Sequence, residues 1–288
     1  MRVQRWAIGL WMCAFVAAAS AADPPAEVAF PSLDGKTTLR AYLFRPTGPG
    51  PWPAVVMMHG RAGPYAAAAA NGTYDGTALS QRHTQWGRFW AERGYLALHV
   101  DSFGPRGYPQ GFPVGSYSRR PASVDEQRVR PLDAYGALAW LRTREDVIKD
   151  RIGLQGWSNG AMATLATLDR EAPGIASPDP ERGFRAALIF YPGCRVQLGK
   201  EYRPYAPAIM FVASNDEEVA PLPCSQMADR VRGRGITDFE MVWYEGATHS
   251  FDDPGKRRQS VPGNREARRD SMTRAEQFFQ VRLKPQAP

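Results

Sequence analysis

Segments of strand length that are rich in apolar residues recur along the chain. They cover residues 54–58, 95–100, 152–155, 186–191, 208–213 and 239–244. Short, nearly continuous apolar runs are typical of strands that are covered on both faces. Residues 37–44 differ, because polar and apolar side chains alternate there as they do in a half-exposed strand.

Segments with helical spacing of apolar residues lie between these strands, at 79–93, 132–141, 160–168, 224–232 and 265–283. Alternation of strands and helices predicts the α/β class, with a mostly parallel central sheet and helices on both faces. The first strands have no helix between them, so we expect an antiparallel edge. In such sheets the reactive groups collect beyond the carboxyl ends of the strands.

The first 22 residues have the pattern of a secretory signal peptide. Arg2 and Arg5 precede an apolar run that ends in small residues suited to signal peptidase. An uncleaved membrane anchor is the alternative, but the run is short for a bilayer. We therefore expect residues 23–288 to form a single domain that is exported to the periplasm or secreted, without stable membrane insertion.

The net charge and the cysteine content limit the classes of function that the chain can have. Loss of the two signal arginines would lower the net charge from +7 to +5, which does not indicate a nucleic-acid-binding protein. Cys194 and Cys224 would remain, and in an exported protein they are a candidate disulfide, although two separate thiols are the alternative. No Cys-x-x-Cys motif or histidine cluster suggests a zinc site.

The motif Gly156-Trp157-Ser158-Asn159-Gly160 lies between a predicted strand and a predicted helix. This is the context of a nucleophile elbow, in which a strained turn presents a serine hydroxyl and its neighbours must be small. The motif alone is common, so its interpretation depends on a base and an acid elsewhere in the chain.

His249 is the candidate base, because it is the one histidine of four that follows Ser158. Serine hydrolases on this kind of sheet have the chain order serine, acid, histidine. Asp216 follows the strand at 208–213 and is the candidate acid. Glu217 and Glu218 are its local competitors, and their simpler interpretation is a solvated acidic turn or the start of a helix.

Two backbone N–H groups should bind the oxyanion. The N–H of Asn159 directly follows the nucleophile. The second donor should come from the glycine-rich loop after residues 54–58, where Arg61 is the first choice and Gly60 or Ala62 are alternatives. His59, in the same loop, is predicted to be structural.

Two charged residues after the strand at 95–100 could also line a pocket. Asp101 either lines it or braces its own loop, and Arg106 either binds a carboxylate of the substrate or forms a surface salt bridge. For both residues we favour the structural role.

Several stretches, taken together, resemble the dienelactone hydrolase family of α/β-hydrolases, in an exported branch with a serine nucleophile. They are VVMMHGRAG, YLALHVDSFGPRG, DAYGALAWL, GLQGWSNGAM, ASNDEEVAP and YEGATHSF, in family order. The resemblance implies the α/β-hydrolase fold, a triad of Ser158, Asp216 and His249, and hydrolysis of an ester or lactone without a cofactor. The best-known members have cysteine at the position of Ser158.

The leading hypothesis is therefore a serine hydrolase that cleaves a small carboxylic ester or lactone through an acyl-enzyme. A small peptidase or amide hydrolase with the same triad is the second hypothesis. A non-catalytic binding protein on this scaffold is the third, and the complete set of triad residues speaks against it.

Overall fold

A computed structural model describes residues 24–67, 69 and 72–284. The expected signal peptide, residues 1–22, lies outside these residues, as does Asp23. Among the residues that the structure describes, no helix combines the length and apolarity that a membrane crossing would need.

Eight strands form one sheet in the order β1-β2-β4-β3-β5-β6-β7-β8. The pairs β1–β2 and β2–β4 are antiparallel, and the other five pairs are parallel, as expected for an α/β fold with an antiparallel N-terminal edge. The strands are β1 (Ala26–Pro31), β2 (Thr38–Phe44), β3 (Trp52–Met58), β4 (Leu96–Asp101), β5 (Val147–Trp157), β6 (Ala186–Phe190), β7 (Ala208–Ala213) and β8 (Phe239–Tyr244).

Seven α-helices lie in the described part of the chain. They are α1 (Gln81–Glu92), α2 (Arg130–Arg142), α3 (Asn159–Leu168), α4 (Arg195–Leu198), α5 (Leu222–Gly233), α6 (Lys256–Gln259) and α7 (Pro262–Leu283). The apolar sides of α2, α3 and α5 pack on one face of the sheet, and those of α1 and α7 pack on the other. The predicted three-layer α/β architecture is therefore confirmed.

The structure extends some predictions and adds elements that the sequence pattern did not indicate. Strand β5 begins five residues earlier than expected, at Val147, because its first half is polar and partly exposed. Strand β1 and the four-residue helices α4 and α6 were not predicted. The segment between β4 and α2 contains three short 3-10 turns instead of a regular element.

Three buried histidines lie next to one another: His59 directly after β3, His83 in α1 and His99 in β4. The ring of His99 lies 4.3 Å from that of His83, 6.4 Å from that of His59 and 6.2 Å from that of Trp157, between ring centroids. Burial lowers the pKa of His59 and His83 well below the ordinary value, and lowers the pKa of His99 to about 3. All three rings are therefore neutral in the folded protein at pH 7.

This cluster predicts acid sensitivity of the fold. A histidine whose folded pKa is lowered contributes stability that is complete above its unfolded pKa, about 6.5, and is lost as the pH falls towards the folded pKa. For each such residue, every unit by which the pH falls between these two pKa values lowers the free energy of unfolding by up to about 1.4 kcal/mol.

Denaturant unfolding between pH 7.5 and 5 checks this, with His99→Leu as the informative variant. Because the variant has one titrating ring fewer, its free energy of unfolding should fall less steeply with decreasing pH than that of the wild type. Equal slopes for the two proteins would contradict the expected role of His99.

Candidate active site

Ser158 occupies a strained turn between β5 and α3. Its φ of 53° and ψ of −114° lie in a region that side-chain-bearing residues rarely adopt. A Cβ on Gly156 would lie 2.3 Å from the carbonyl oxygen of Gly160, and a Cβ on Gly160 would lie 2.0 Å from that of Met58. Both glycines are thus required for the close approach of strand and helix, which holds the serine side chain above the sheet edge.

The loops after three parallel strands bring Ser158, His249 and Asp216 together. The hydroxyl of Ser158 lies 2.9 Å from Nε2 of His249, and Nδ1 of His249 lies 2.7 Å from Oδ2 of Asp216. The side chains of His249 and Asp216 are each only 2% exposed. In this arrangement the Nδ1–H donates to Asp216, which leaves Nε2 free to accept the serine proton.

The two glutamates that follow Asp216 also contact His249. The backbone N–H of His249 donates to Oε2 of Glu217 over 2.9 Å. Oε2 of Glu218 lies 3.7 Å from Nε2 of His249, and the Glu218 side chain is only 12% exposed. The interpretation of these residues as a solvated acidic turn is therefore wrong for Glu218, because this side chain points into the site.

The two segments that carry the predicted oxyanion donors lie next to Ser158. Asn159 is the first residue of α3, where a backbone N–H has no acceptor within its own helix. A Cβ on Gly60 would lie 3.4 Å from Cβ of Ser158, so the loop that contains Arg61 passes within contact distance of the serine. The absence of a side chain at Gly60 lets this backbone approach.

Arg130 braces both of the segments that carry these N–H groups, and no pattern in the sequence indicated this residue. Its fully buried guanidinium donates to the carbonyl oxygen of His59 over 2.8 Å and to Oδ1 of Asn159 over 2.6 Å. The Asn159 amide in turn donates to Glu126, which also accepts the hydroxyl of Tyr117. Burial lowers the pKa of Arg130 to about 10.

Asp252 supports the side of the site that contains His249, and no pattern in the sequence indicated this residue either. One of its oxygens accepts the indole N–H groups of Trp86 and Trp157, both over 2.8 Å, and the other accepts the hydroxyl of Tyr191 over 2.5 Å. The ring of Tyr191 packs edge-on against the ring of His249 at a centroid distance of 4.8 Å. A single buried carboxylate thus fixes the aromatic wall beside the base.

His59 and Asp101 have the structural roles that we favoured. Nε2 of His59 accepts the N–H of Ser102, so Nδ1–H donates to the carbonyl oxygen of Gly60 and braces the loop. Asp101 accepts the backbone N–H groups of Phe103 and Gly104.

Arg106 forms neither of the two interactions considered from sequence. Its side chain is only 5% exposed, and it donates to Asp133 and Asp34. The prediction of a surface salt bridge is wrong, because Asp133 lies on the inner face of α2 and draws the guanidinium into the protein.

A pocket of about 440 Å³ opens over Ser158. Apolar side chains and three arginines share its wall with Glu218. Lining residues include Val114, Met162, Val196, Val219, Arg61, Arg120 and Arg195. Cys194 also lines the pocket, and a disulfide joins it to Cys224 at the start of α5. Among the described residues, no group of three or more His, Cys, Asp or Glu side chains is placed to hold a metal ion.

Solved structures with the same architecture come from esterases and related hydrolases. A protein from Klebsiella pneumoniae, provisionally named a dienelactone hydrolase, matches with a TM-score of 0.65 and 18% identity over 88% of this chain and 97% of the other. Esterase 2 of Thermogutta terrifontis with propionate bound matches with a TM-score of 0.62 and 18% identity, over 92% and 97% of the two chains. A dienelactone hydrolase-like promiscuous phosphotriesterase from metagenomic libraries has a TM-score of 0.62 and 20% identity, over 90% and 98%.

The sheet order, the strained serine turn and these structural matches define an α/β-hydrolase fold. The sequence pattern of the dienelactone hydrolase family matches residues 39–283, which is most of the chain. The protein therefore belongs to the dienelactone hydrolase family. It is a hydrolase that acts on ester bonds.

Proposed function

We propose that the protein is a serine hydrolase that cleaves a small carboxylic ester or lactone through an acyl-enzyme on Ser158. The observation that carries this proposal is the continuous hydrogen-bonded path from Ser158 to His249 to Asp216, with distances of 2.9 and 2.7 Å. A serine hydroxyl is a weak nucleophile, and such a path supplies the adjacent base that activates it.

In the first step Nε2 of His249 takes the proton of Ser158 as Oγ attacks the carbonyl carbon. Asp216 stabilises the imidazolium that forms, and the N–H groups of Asn159 and Arg61 bind the oxyanion. The imidazolium then protonates the leaving alcohol, and the ester bond breaks. Water deprotonated by His249 attacks the acyl-enzyme, and the acid leaves as Ser158 recovers its proton.

The solved relatives support a covalent mechanism by analogy. Structures of the Thermogutta terrifontis esterase 2 are described as phosphorylated by paraoxon and phosphonylated by sarin. Organophosphates of this kind are therefore suitable probes for the present chain. A peptidase or amide hydrolase would use the same triad, so the substrate panel must include both bond types.

A fluorophosphonate probe followed by mass spectrometry tests the proposal directly. We expect one adduct, on the peptide that contains Ser158, and no adduct in Ser158→Ala. Ser260→Ala, which changes an exposed serine of the α6–α7 connection, should label like the wild type. Hydrolysis of p-nitrophenyl esters of increasing acyl length, compared with the matching p-nitroanilides, then separates esterase from amidase. Folded protein that takes no label would overturn the proposal.

We also propose that the enzyme acts after export, to the periplasm or beyond. The basic start, apolar run and small residues of the first 22 residues support this. Expression in an exporting bacterial host should yield protein whose intact mass lacks this segment. Recovery of the full-length chain from the cytoplasm alone would contradict it.

A further inference from the structure

Three consecutive acidic residues contact the same histidine from different sides. Asp216 accepts Nδ1–H of His249, Glu217 accepts its backbone N–H, and Glu218 lies on the substrate side, 3.7 Å from Nε2. The turn is fixed, because the N–H groups of Glu218 and Val219 both donate to the other oxygen of Asp216 over 2.9 Å. The mechanism above uses only the first of these three acids.

Glu218 is also bound to the oxyanion loop. Nε and Nη2 of Arg61 donate to its two oxygens over 2.7 and 2.8 Å, in a bidentate pair. The remaining nitrogen, Nη1, donates to the carbonyl oxygen of Phe112, while the N–H of Phe112 donates to that of Arg61. The side chain of Arg61 thus fixes the backbone that the proposed function assigns to the oxyanion.

The charge of Glu218 is maintained although the side chain is largely buried. Burial alone would raise its pKa, but the hydrogen bonds from Arg61 and the nearby His249 together lower the pKa below the ordinary value. A carboxylate therefore faces the atom of His249 that becomes protonated in each step. A carboxylate at this distance attracts the positive charge that an imidazolium carries.

We infer that Glu218 is a positioning residue that connects the base to the oxyanion loop, holding Arg61 in place and stabilising the imidazolium from the substrate side. This inference rests on the proposed function. It assigns a role to a residue outside the triad, and it explains why Arg61, and not a smaller residue, follows Gly60. The ion pair would act in both chemical steps, since His249 carries the proton in each.

Two variants test the two parts of this role. Glu218→Gln keeps an oxygen that can accept from Arg61 but removes the charge beside the imidazolium, so its kcat for a p-nitrophenyl ester should fall about tenfold with little change in KM. Arg61→Lys keeps the positive charge but loses the bidentate geometry that holds the loop, so its kcat should also fall with little change in KM.

Glu240→Gln, on an exposed position of β8, is the matched control and should behave like the wild type. Thermal unfolding and fluorophosphonate labelling of Ser158 establish that each variant is folded and has a reactive serine. If wild-type Ser158 labels but Glu218→Gln retains the wild-type kcat, the inference is wrong and the proposed function stands. If wild-type Ser158 does not label, the proposed function itself fails.

Discussion

Replacement of Ser158 by alanine is expected to lower kcat for ester hydrolysis by about 10⁴-fold or more, with little change in KM. In the proposed mechanism the variant lacks the atom that attacks the carbonyl, so no acyl-enzyme could form. The pocket wall and the oxyanion donors stay, because the alanine Cβ fits the same turn. Residual hydrolysis would then come from water in a site that still binds the substrate.

Steady-state kinetics of the purified variant measure this effect, with Ser260→Ala as the matched control. The control should keep wild-type kcat and KM, since its hydroxyl donates only to a carbonyl oxygen on an exposed connection. A Ser158→Ala protein that hydrolyses the ester at the wild-type rate would mean that another group attacks the substrate. The geometry at Ser158 would then need a different explanation.

Arg130→Met is expected to lower the free energy of unfolding by about 3 kcal/mol. The substitution keeps a long apolar side chain but leaves the carbonyl oxygen of His59 and Oδ1 of Asn159 buried without their donor. It also removes the positive charge beside Glu126, which is only 4% exposed. Buried acceptors and charges without partners are among the costliest defects in a protein interior.

The same substitution should lower kcat, because Arg130 braces the two backbone segments to which the proposed function assigns the oxyanion. Denaturant unfolding gives the stability and steady-state kinetics give the rate, with Arg128→Met as a control two residues away on an exposed position. The control should change neither quantity appreciably. A stable and fully active Arg130→Met protein would show that the Arg130 hydrogen bonds are dispensable.

The sequence predicted those parts of the fold that depend on local pattern. Strands β7 and β8 have the predicted bounds, because their ends coincide with a clear change from apolar to polar residues. The candidate triad could be chosen for a related reason. Ser158, Asp216 and His249 each follow a parallel strand, and such strands end at one edge of a sheet.

Contacts between distant charged residues could not be predicted in the same way. Arg61 and Glu218 are 157 positions apart, and nothing in either local sequence indicates the other. Arg130 lies in a segment with many arginines, and only the folded chain distinguishes the buried one from its exposed neighbours. The error at Arg106 has the same origin, since an arginine in a Gly/Pro-rich loop has the local pattern of a surface residue.

The segment between β4 and α2 has two structural roles, and together they limit how the enzyme can be re-engineered. Its outer part lines the pocket through Val114 and Tyr117, and its last residues, with Glu126 and then Arg130 at the start of α2, support the oxyanion side of the site. Tyr117 joins the two parts through its hydrogen bond to Glu126. A loop exchange intended to alter which acyl group is accepted would therefore also disturb the support of the reacting carbonyl. Substrate selectivity and turnover cannot be changed independently through this segment.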